Sequence, residues 1–430
     1  MTIPTPARTA TIAILLASSS LSPAQQAPPA QPAPIAPQPA FETPPAFKVS
    51  QFIAPELIKG EHHRIRELAQ SDGYLIYYTV DSDFGVYECF GTRELKRCLT
   101  EIEAIAKLVE VSKSDLFAQG LKNSIATPVA AVENIVDDPV GTVKEVPRTV
   151  GHFFSKVGKG VKRTGEKIEK RITGEDDDLP SPEKSLGTTA KNLIGFQKAK
   201  LDAAKQLHID PYSDNQRLQD ELDKVSWAFF AGGLPLKVGA AAISTGASVA
   251  LTATTVVGVP QELYKLTPSE LAARDAESLK FLGINERVVA TIMANPQLSI
   301  SARHRVINDL KVLPPGPARK DIADLLALSN APHRARLLAD ITDMLVDRHR
   351  QQPYQSIRLS GRLPVGVRAD GSVEVVAPLD YISWTQEVSD FATRDDLGTG
   401  SKRLISGASM SKQAKTGLEA AGWTLEKLKE

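Results

Sequence analysis

The stretch "GYLIYYTVDSDFGVYECFG", residues 73–91, contains the first folding signal of this 430-residue chain. Two runs rich in β-branched and aromatic residues, 74–80 and 85–90, flank the turn-like "DSDFG". Short β-rich runs separated by turn residues are typical of a β-hairpin. We therefore predict two antiparallel strands at this place.

A helix is predicted directly after the hairpin, over "TRELKRCLTEIEAIAKLVEV", with Thr92 as its N-cap. Apolar residues recur at steps of three and four, which places them on one face of the helix. They are Leu95, Leu99, Ile102, Ile105 and Leu108. The hairpin and helix together predict a small α/β unit over residues 48–126.

The chain has two cysteines, Cys89 at the end of the second strand and Cys98 in the helix. An oxidising compartment would permit a disulfide between them, and a closed loop of about ten residues would contribute roughly 2.7 kcal/mol. Two buried free thiols are an equal alternative. A zinc site would need more ligands at close spacing.

The N-terminal sequence predicts export. Residues 1–24 combine one early cation, Arg8, a short apolar run and small residues ending at Ala24, which is typical of a signal peptide. Residues 25–47 are rich in Pro, Ala and Gln, and this composition predicts a disordered tether.

Residues 127–174 form a basic tract with helical apolar spacing, and an acidic linker over 175–188 follows it. From Lys144 to Arg171 nine cations face three glutamates, although the whole chain balances 51 cations with 51 anions. Such a tract fits either contact with an anionic lipid surface or an envelope protein, or a helix packed on its own domain. The residues predicted to contact a membrane surface are Lys144, Arg148, Phe153, Phe154, Lys156, Lys159, Lys162 and Arg163. Nucleic-acid binding is not expected, because no aromatic residue alternates with the cations from Lys156 to Arg171 and export removes the usual partner.

Residues 189–352 predict a helical domain. A capping box, Thr267 with Glu270, begins one helix and Gly283 ends it. The domain also contains "VGAAAISTGASVALTATTVVGV", residues 238–259, which has no charge. Its length permits a membrane span, but its many small residues favour a buried helix packed closely on its neighbours.

Residues 353–430 predict a C-terminal α/β unit. Asp370-Gly371 between Val-rich runs indicates a hairpin, and a helix is predicted over 380–395. The end of the chain predicts strand, helix and strand, with the two strands parallel. The expected fold class is α+β and predominantly helical.

No motif in the sequence predicts a catalytic, cofactor or metal site. His62 and His63 are adjacent and point in different directions, so they do not form a ligand pair. Ser409 and Lys412 match a Ser–Lys hydrolase pair only weakly, since Ser409 or Ser411 suits the N-cap of the last helix. "IDPYSDNQ", residues 209–216, predicts a rigid turn in which Ser213 caps the next helix.

The segments "DGYLIYYTVDSDFG", "DDPVGTVKEVPRTVGHFF" and "LEAAGWTL" resemble a family of exported Gram-negative bacterial proteins without a known activity. The resemblance implies export, to the periplasm, the outer membrane or the medium. We expect a non-enzymatic interaction or structural protein of the envelope. The alternatives are an envelope hydrolase assembled from distant residues and a toxin-like protein that inserts a helical hairpin.

Overall fold

The computed structural model describes residues 40–125, 188–234 and 259–428. The described residues from Phe41 onward belong to one compact unit. Two five-stranded sheets lie near the two ends of this unit in sequence, and helices occupy the region between them.

The N-terminal sheet contains the predicted hairpin. Its strands are β1 (Ala46–Lys48), β2 (His63–Ile65), β3 (Leu68–Ser71), β4 (Ile76–Ser82) and β5 (Gly85–Phe90). The strand order is β1-β3-β4-β2. Strands β2 and β3 pair with different parts of one edge of β4, and β5 pairs with the other edge. The hairpin prediction is confirmed, with a two-residue turn between Ser82 and Gly85. A short helix, α1 (Pro55–Ile58), precedes β2, and β1 begins inside the predicted tether.

The second helix packs against this sheet as its apolar stripe predicts. It is α2 (Thr92–Ser112), and all five stripe residues are fully buried. The N-cap prediction was wrong, because Gly91 caps the helix with φ 98° and Thr92 is its first helical residue. Only glycine adopts such a φ without strain. The Thr92 hydroxyl instead lies 3.0 Å from the Tyr78 hydroxyl, and a hydrogen bond joins them.

Helices fill the centre of the described chain. They are α3 (Asp115–Ile125), α4 (Thr188–Leu207), α5 (Gln216–Ala231), α6 (Pro268–Phe281), α7 (Glu286–Ala294), α8 (Ile300–Val312), α9 (Ala318–Ala327) and α10 (Pro332–Gln351). The predicted capping box is confirmed, since Thr267 and Glu270 bond reciprocally at the start of α6. Gly283 follows that helix with φ 72°.

The C-terminal part contains the second large sheet. Its strands are β6 (Ser356–Ser360), β7 (Leu363–Val367), β8 (Val373–Val376), β10 (Lys402–Ser406) and β12 (Trp423–Lys427), in the order β12-β10-β8-β7-β6. The hairpin of β7 and β8 is confirmed. The parallel pairing of β10 and β12 around α12 (Lys412–Ala420) is also confirmed.

The helix predicted over 380–395 is shorter than expected. It is α11 (Gln386–Ala392), and Thr385 caps it by accepting from the Val388 N–H. The residues before it form β9 (Tyr381–Ile382), which pairs with β11 (Ser409–Met410). Residues 381–382 therefore complete a small parallel ladder, which propensity alone does not predict.

The prediction of a predominantly helical fold was wrong. Over the described residues the structure is mixed, with 52% helix, 18% strand and sheets of five, five and two strands. Several of the strands have only two to four residues. Strands this short give little alternation in the sequence, so tertiary pairing rather than local pattern determines them.

Membrane insertion of residues 238–259 is not tested, because all but Val259 of that run lie outside the described residues. In the described ranges no helix combines the length and apolarity that a bilayer span requires.

Candidate functional site

A groove of about 410 Å³ runs beside β5. We call it the β5 groove. It is lined by Phe84, Gly85, Val86, Tyr87, Glu88, Cys89, Glu94, Arg97, Cys98, Glu101, Asp214, Asn215, Gln216, Arg217 and Arg336. These residues come from the hairpin, from α2, from the loop before α5 and the first turn of α5, and from the start of α10. Residues far apart in sequence therefore meet along one surface.

The loop over residues 209–216 forms the wall opposite β5, and its side chains bond to α2. Ser213 donates its hydroxyl to Glu101 at 2.6 Å, and the Asn215 amide donates to the other oxygen of the same carboxylate at 2.9 Å. Burial raises the pKa of Glu101, and these two donors oppose the shift. The cap prediction for Ser213 was wrong, because Asn215 caps α5 by accepting from the Leu218 N–H.

Arg336 of α10 joins this wall to α2. Its guanidinium donates to both Glu94 and Asp214. Although burial disfavours the charge on Arg336, the two carboxylates raise its pKa above the usual arginine value. A buried guanidinium held by two carboxylates has little freedom to move, so the wall has a fixed shape.

Cys89 and Cys98 lie at the base of the groove as free, buried thiols. A side-chain hydrogen bond between Cys89 and Cys98, together with burial, raises the pKa of the Cys89 thiol. The structure thus holds the second of the two arrangements that the sequence left open. Formation of a disulfide in an oxidising compartment stays a prediction.

We expect oxidised glutathione to close the Cys89–Cys98 disulfide, because the two thiols are in hydrogen-bonding contact. The product should have lost two hydrogen masses and should unfold in urea with up to about 2.7 kcal/mol more stability. Cys98→Ser serves as the control, since it cannot form the bond. If both thiols of the treated protein still react with a thiol reagent in urea, the prediction is wrong.

A small cavity of about 40 Å³ lies on the inner side of the same wall. Arg97, Glu101, Asp210, Ser301 and Arg305 supply its polar lining. Ser301 donates its hydroxyl to Asp210 at 2.5 Å. A cavity of this size has space for roughly three water molecules and no room for a larger substrate.

Two further sets of buried charges connect the central helices. Asp275 bonds both the ring of His304, at 2.6 Å, and the Nε of Arg303, at 2.9 Å. On the other side of α8, Arg305 donates to Asp340 at 2.6 Å. Because these charged groups are paired across helices, α8 can bury them against α6 on one side and α10 on the other.

The sequence indicated none of these networks. The signal that could have found them is the density of charged residues in "SARHRVINDL", a segment that is almost entirely buried. This helix also contains the apolar residues Val306, Ile307 and Leu310, and charges that are buried with such residues need partners on neighbouring helices.

The histidines and serines that the sequence offered as candidate ligands or nucleophiles do not line the β5 groove. His63 is buried and its Nε2 contacts the Leu57 carbonyl, whereas His62 bonds Asp83. Ser411 caps α12, and Ser409 belongs to β11. Across the described ranges no cluster of three or more His, Cys, Asp and Glu is suited to a metal.

The predicted lipid-contact residues, from Lys144 to Arg163, lie outside the described residues. Contact with an anionic surface therefore stays a prediction.

No family model, curated protein or solved structure matches this chain. The resemblance to exported Gram-negative proteins therefore stays a prediction.

Proposed function

We propose that this chain is an exported, non-enzymatic protein of the cell envelope that binds a partner in the β5 groove. The observation that carries the proposal is the groove itself, about 410 Å³ in volume, with one wall made of strand and the other of cross-bonded side chains. Export rests on the sequence of residues 1–24.

The walls of the groove are preorganised for binding. Glu101 of α2 accepts two hydrogen bonds from the loop over 209–216. Arg336 donates both to Glu94 of α2 and to Asp214 of that loop. A surface that is rigid before binding loses less conformational entropy when a partner binds. Tight cross-bonding of an exposed groove therefore supports a recognition role.

The polar groups also support binding over catalysis. Ser301 and Asp210 form a hydroxyl–carboxylate pair, but the adjoining cavity of about 40 Å³ admits only water. His304 lies among Asp275, Glu262 and Asn308 and is fully buried. We therefore do not propose an envelope hydrolase with a site at these residues.

A photo-crosslinking experiment tests the proposal. Arg217 lines the groove and has 47% of its side chain exposed, so Arg217→p-benzoylphenylalanine places a reactive group at the mouth. We expect this variant, expressed with its own leader in Gram-negative cells, to form a discrete adduct in the envelope fraction.

The matched control is the same amino acid at Arg350, which is 64% exposed near the end of α10 and does not line the groove. Equal adducts at both positions would show random contact and would overturn the binding role of the groove. Full retention of the protein in the cytosolic fraction would overturn export.

A further inference from the structure

Among the described residues, no strand pairs with the outer edge of β5. In the described part of the chain β5 pairs only with β4. An antiparallel ladder uses alternate residues, so the others direct their N–H and C=O groups away from the partner strand. Thr79 of β4 directs its carbonyl to the Arg66 N–H at 2.9 Å, away from β5. Glu88 is the residue opposite Thr79, and its backbone groups therefore face outward.

Val86 occupies the equivalent position two residues earlier, opposite Asp81. Beyond Glu88 the edge ends, because the Phe90 N–H donates to the Glu94 carboxylate at 3.2 Å. The open edge therefore offers the N–H and C=O groups of Val86 and Glu88, which suffices for a short strand.

Space for a strand lies along this edge. Residues 84–89 all line the groove, so the groove follows β5 from Gly85 to Cys89. The sheet faces at this end of β5 are also uncovered, since Val86 is 60% exposed and a Cβ built on Gly85 would meet no atom within 4 Å. An added strand would sit about 4.8 Å from β5, on the side where the groove is open.

We infer that the β5 groove binds an extended segment of a partner protein as an added β-strand on the outer edge of β5. This inference rests on the proposed function and specifies the partner. Main-chain hydrogen bonds to Val86 and Glu88 would supply the affinity, and side chains of the added strand would supply the selectivity.

The chemistry of the segment follows from its two neighbours on the solvent face. Val86 is apolar and exposed, so a β-branched residue packs beside it. Glu88 carries an exposed carboxylate, which selects a lysine or arginine on the added strand. The partner segment is extended, with an apolar and a basic residue two positions apart.

A linear peptide library displayed on phage, selected against the full chain, tests the inference. We expect selected peptides to alternate, with Val, Ile or Thr two positions from Lys or Arg. Synthetic copies of the selected peptides that carry N-methyl groups on alternate residues keep every side chain but lose the main-chain N–H donors at those residues. We expect N-methylation to weaken binding by about tenfold or more, as measured by fluorescence anisotropy.

Two variants of the protein complete the test. Val86→Pro removes an outward N–H that β4 does not use, and Val86→Lys places a charge on the edge without altering the backbone. We expect both to abolish peptide binding. The control is Leu68→Lys, an equally exposed apolar residue (64%) of β3 that does not line the groove, and it should bind as the unchanged protein does.

The possible outcomes separate the two proposals. Peptides that compete for the Arg217 crosslink but tolerate N-methylation would overturn strand addition and leave the groove as a binding site. A selection that yields no peptide sensitive to Val86→Lys would also overturn strand addition. A dimer that Val86→Lys converts to monomer would identify the occupant as a second copy of this chain and overturn the partner named here.

Discussion

Replacing Glu374 by alanine is expected to lower the free energy of unfolding by about 3–5 kcal/mol. Glu374 lies on β8 and is fully buried. Arg368, itself 4% exposed, donates two hydrogen bonds to its carboxylate, at 2.5 and 3.0 Å. The Tyr354 hydroxyl adds a third at 2.9 Å. Loss of the carboxylate leaves a buried guanidinium without a counter-ion, which is the main cause of the expected cost.

Urea denaturation followed by tryptophan fluorescence measures this effect. Glu426→Ala is the control, because Glu426 pairs with Arg348 at 3.4 Å but is 43% exposed, and exposed pairs contribute about 0–1 kcal/mol. A loss below about 1 kcal/mol in Glu374→Ala would show that Arg368 finds water or another partner. Glu374→Leu combined with Arg368→Met should recover much of the loss, since it removes both charges.

The same carboxylate predicts a pH dependence. Although burial disfavours the charge, hydrogen bonds from Arg368 and Tyr354 lower the pKa of Glu374 below its usual value. The contribution of the Glu374 carboxylate to the free energy of unfolding is therefore fully present above the pKa of the unfolded state, about 4.3. This contribution disappears as the pH falls through the lower pKa of the folded state. We expect the stability difference between the unchanged protein and Glu374→Ala to narrow in acid.

Replacing Asp380 by alanine is the second large expected effect. The Asp380 carboxylate accepts the N–H groups of Ile76 at 2.9 Å and of Thr92 at 3.1 Å. It thereby joins the C-terminal part of the chain to β4 and to the first residue of α2. Without the carboxylate both N–H groups lose their acceptor, and each loss lowers the free energy of unfolding by about 1–3 kcal/mol. Urea denaturation at pH 7 measures the sum.

Asp380 also predicts a pH dependence of the opposite sign to that of Glu374. Burial raises the pKa of Asp380 to about 6, and the two N–H donors oppose the shift. Because the folded pKa lies above the unfolded value of about 3.9, stability falls as the pH rises from about 4 to 6, by up to roughly 3 kcal/mol. Asp380→Asn should remove this slope, and Asp395→Asn at an exposed position should retain it. An unchanged slope in Asp380→Asn would contradict the assignment.

The sequence predicted elements whose signal is local. Leu95, Leu99 and Ile102 repeat at helical spacing within two turns, and "DSDFG" lies directly between its strands. The parallel pair of β10 and β12 followed from the handedness of a strand–helix–strand connection. In each case a dozen or two consecutive residues contain the whole pattern.

The groove could not be predicted in this way, because its contacts join distant residues. Glu101 and Ser213 are 112 positions apart, and Arg336 and Glu94 are 242 apart. A charged residue in a sequence window looks the same whether its partner is water or a buried carboxylate. At residues 209–216 the predicted turn is present, but Ser213 bonds Glu101 of α2 instead of capping α5.

Helix α10 has a consequence for communication across the molecule. Arg336 near its start contacts the β5 groove, and Arg348 near its end lies 3.7 Å from Glu374 in the other sheet. These two arginines are about 18 Å apart along the axis of this one helix. We therefore expect a ligand in the β5 groove to change the free energy of unfolding of the C-terminal sheet. Trp423 of that sheet could serve as an optical reporter of binding at a site it never touches.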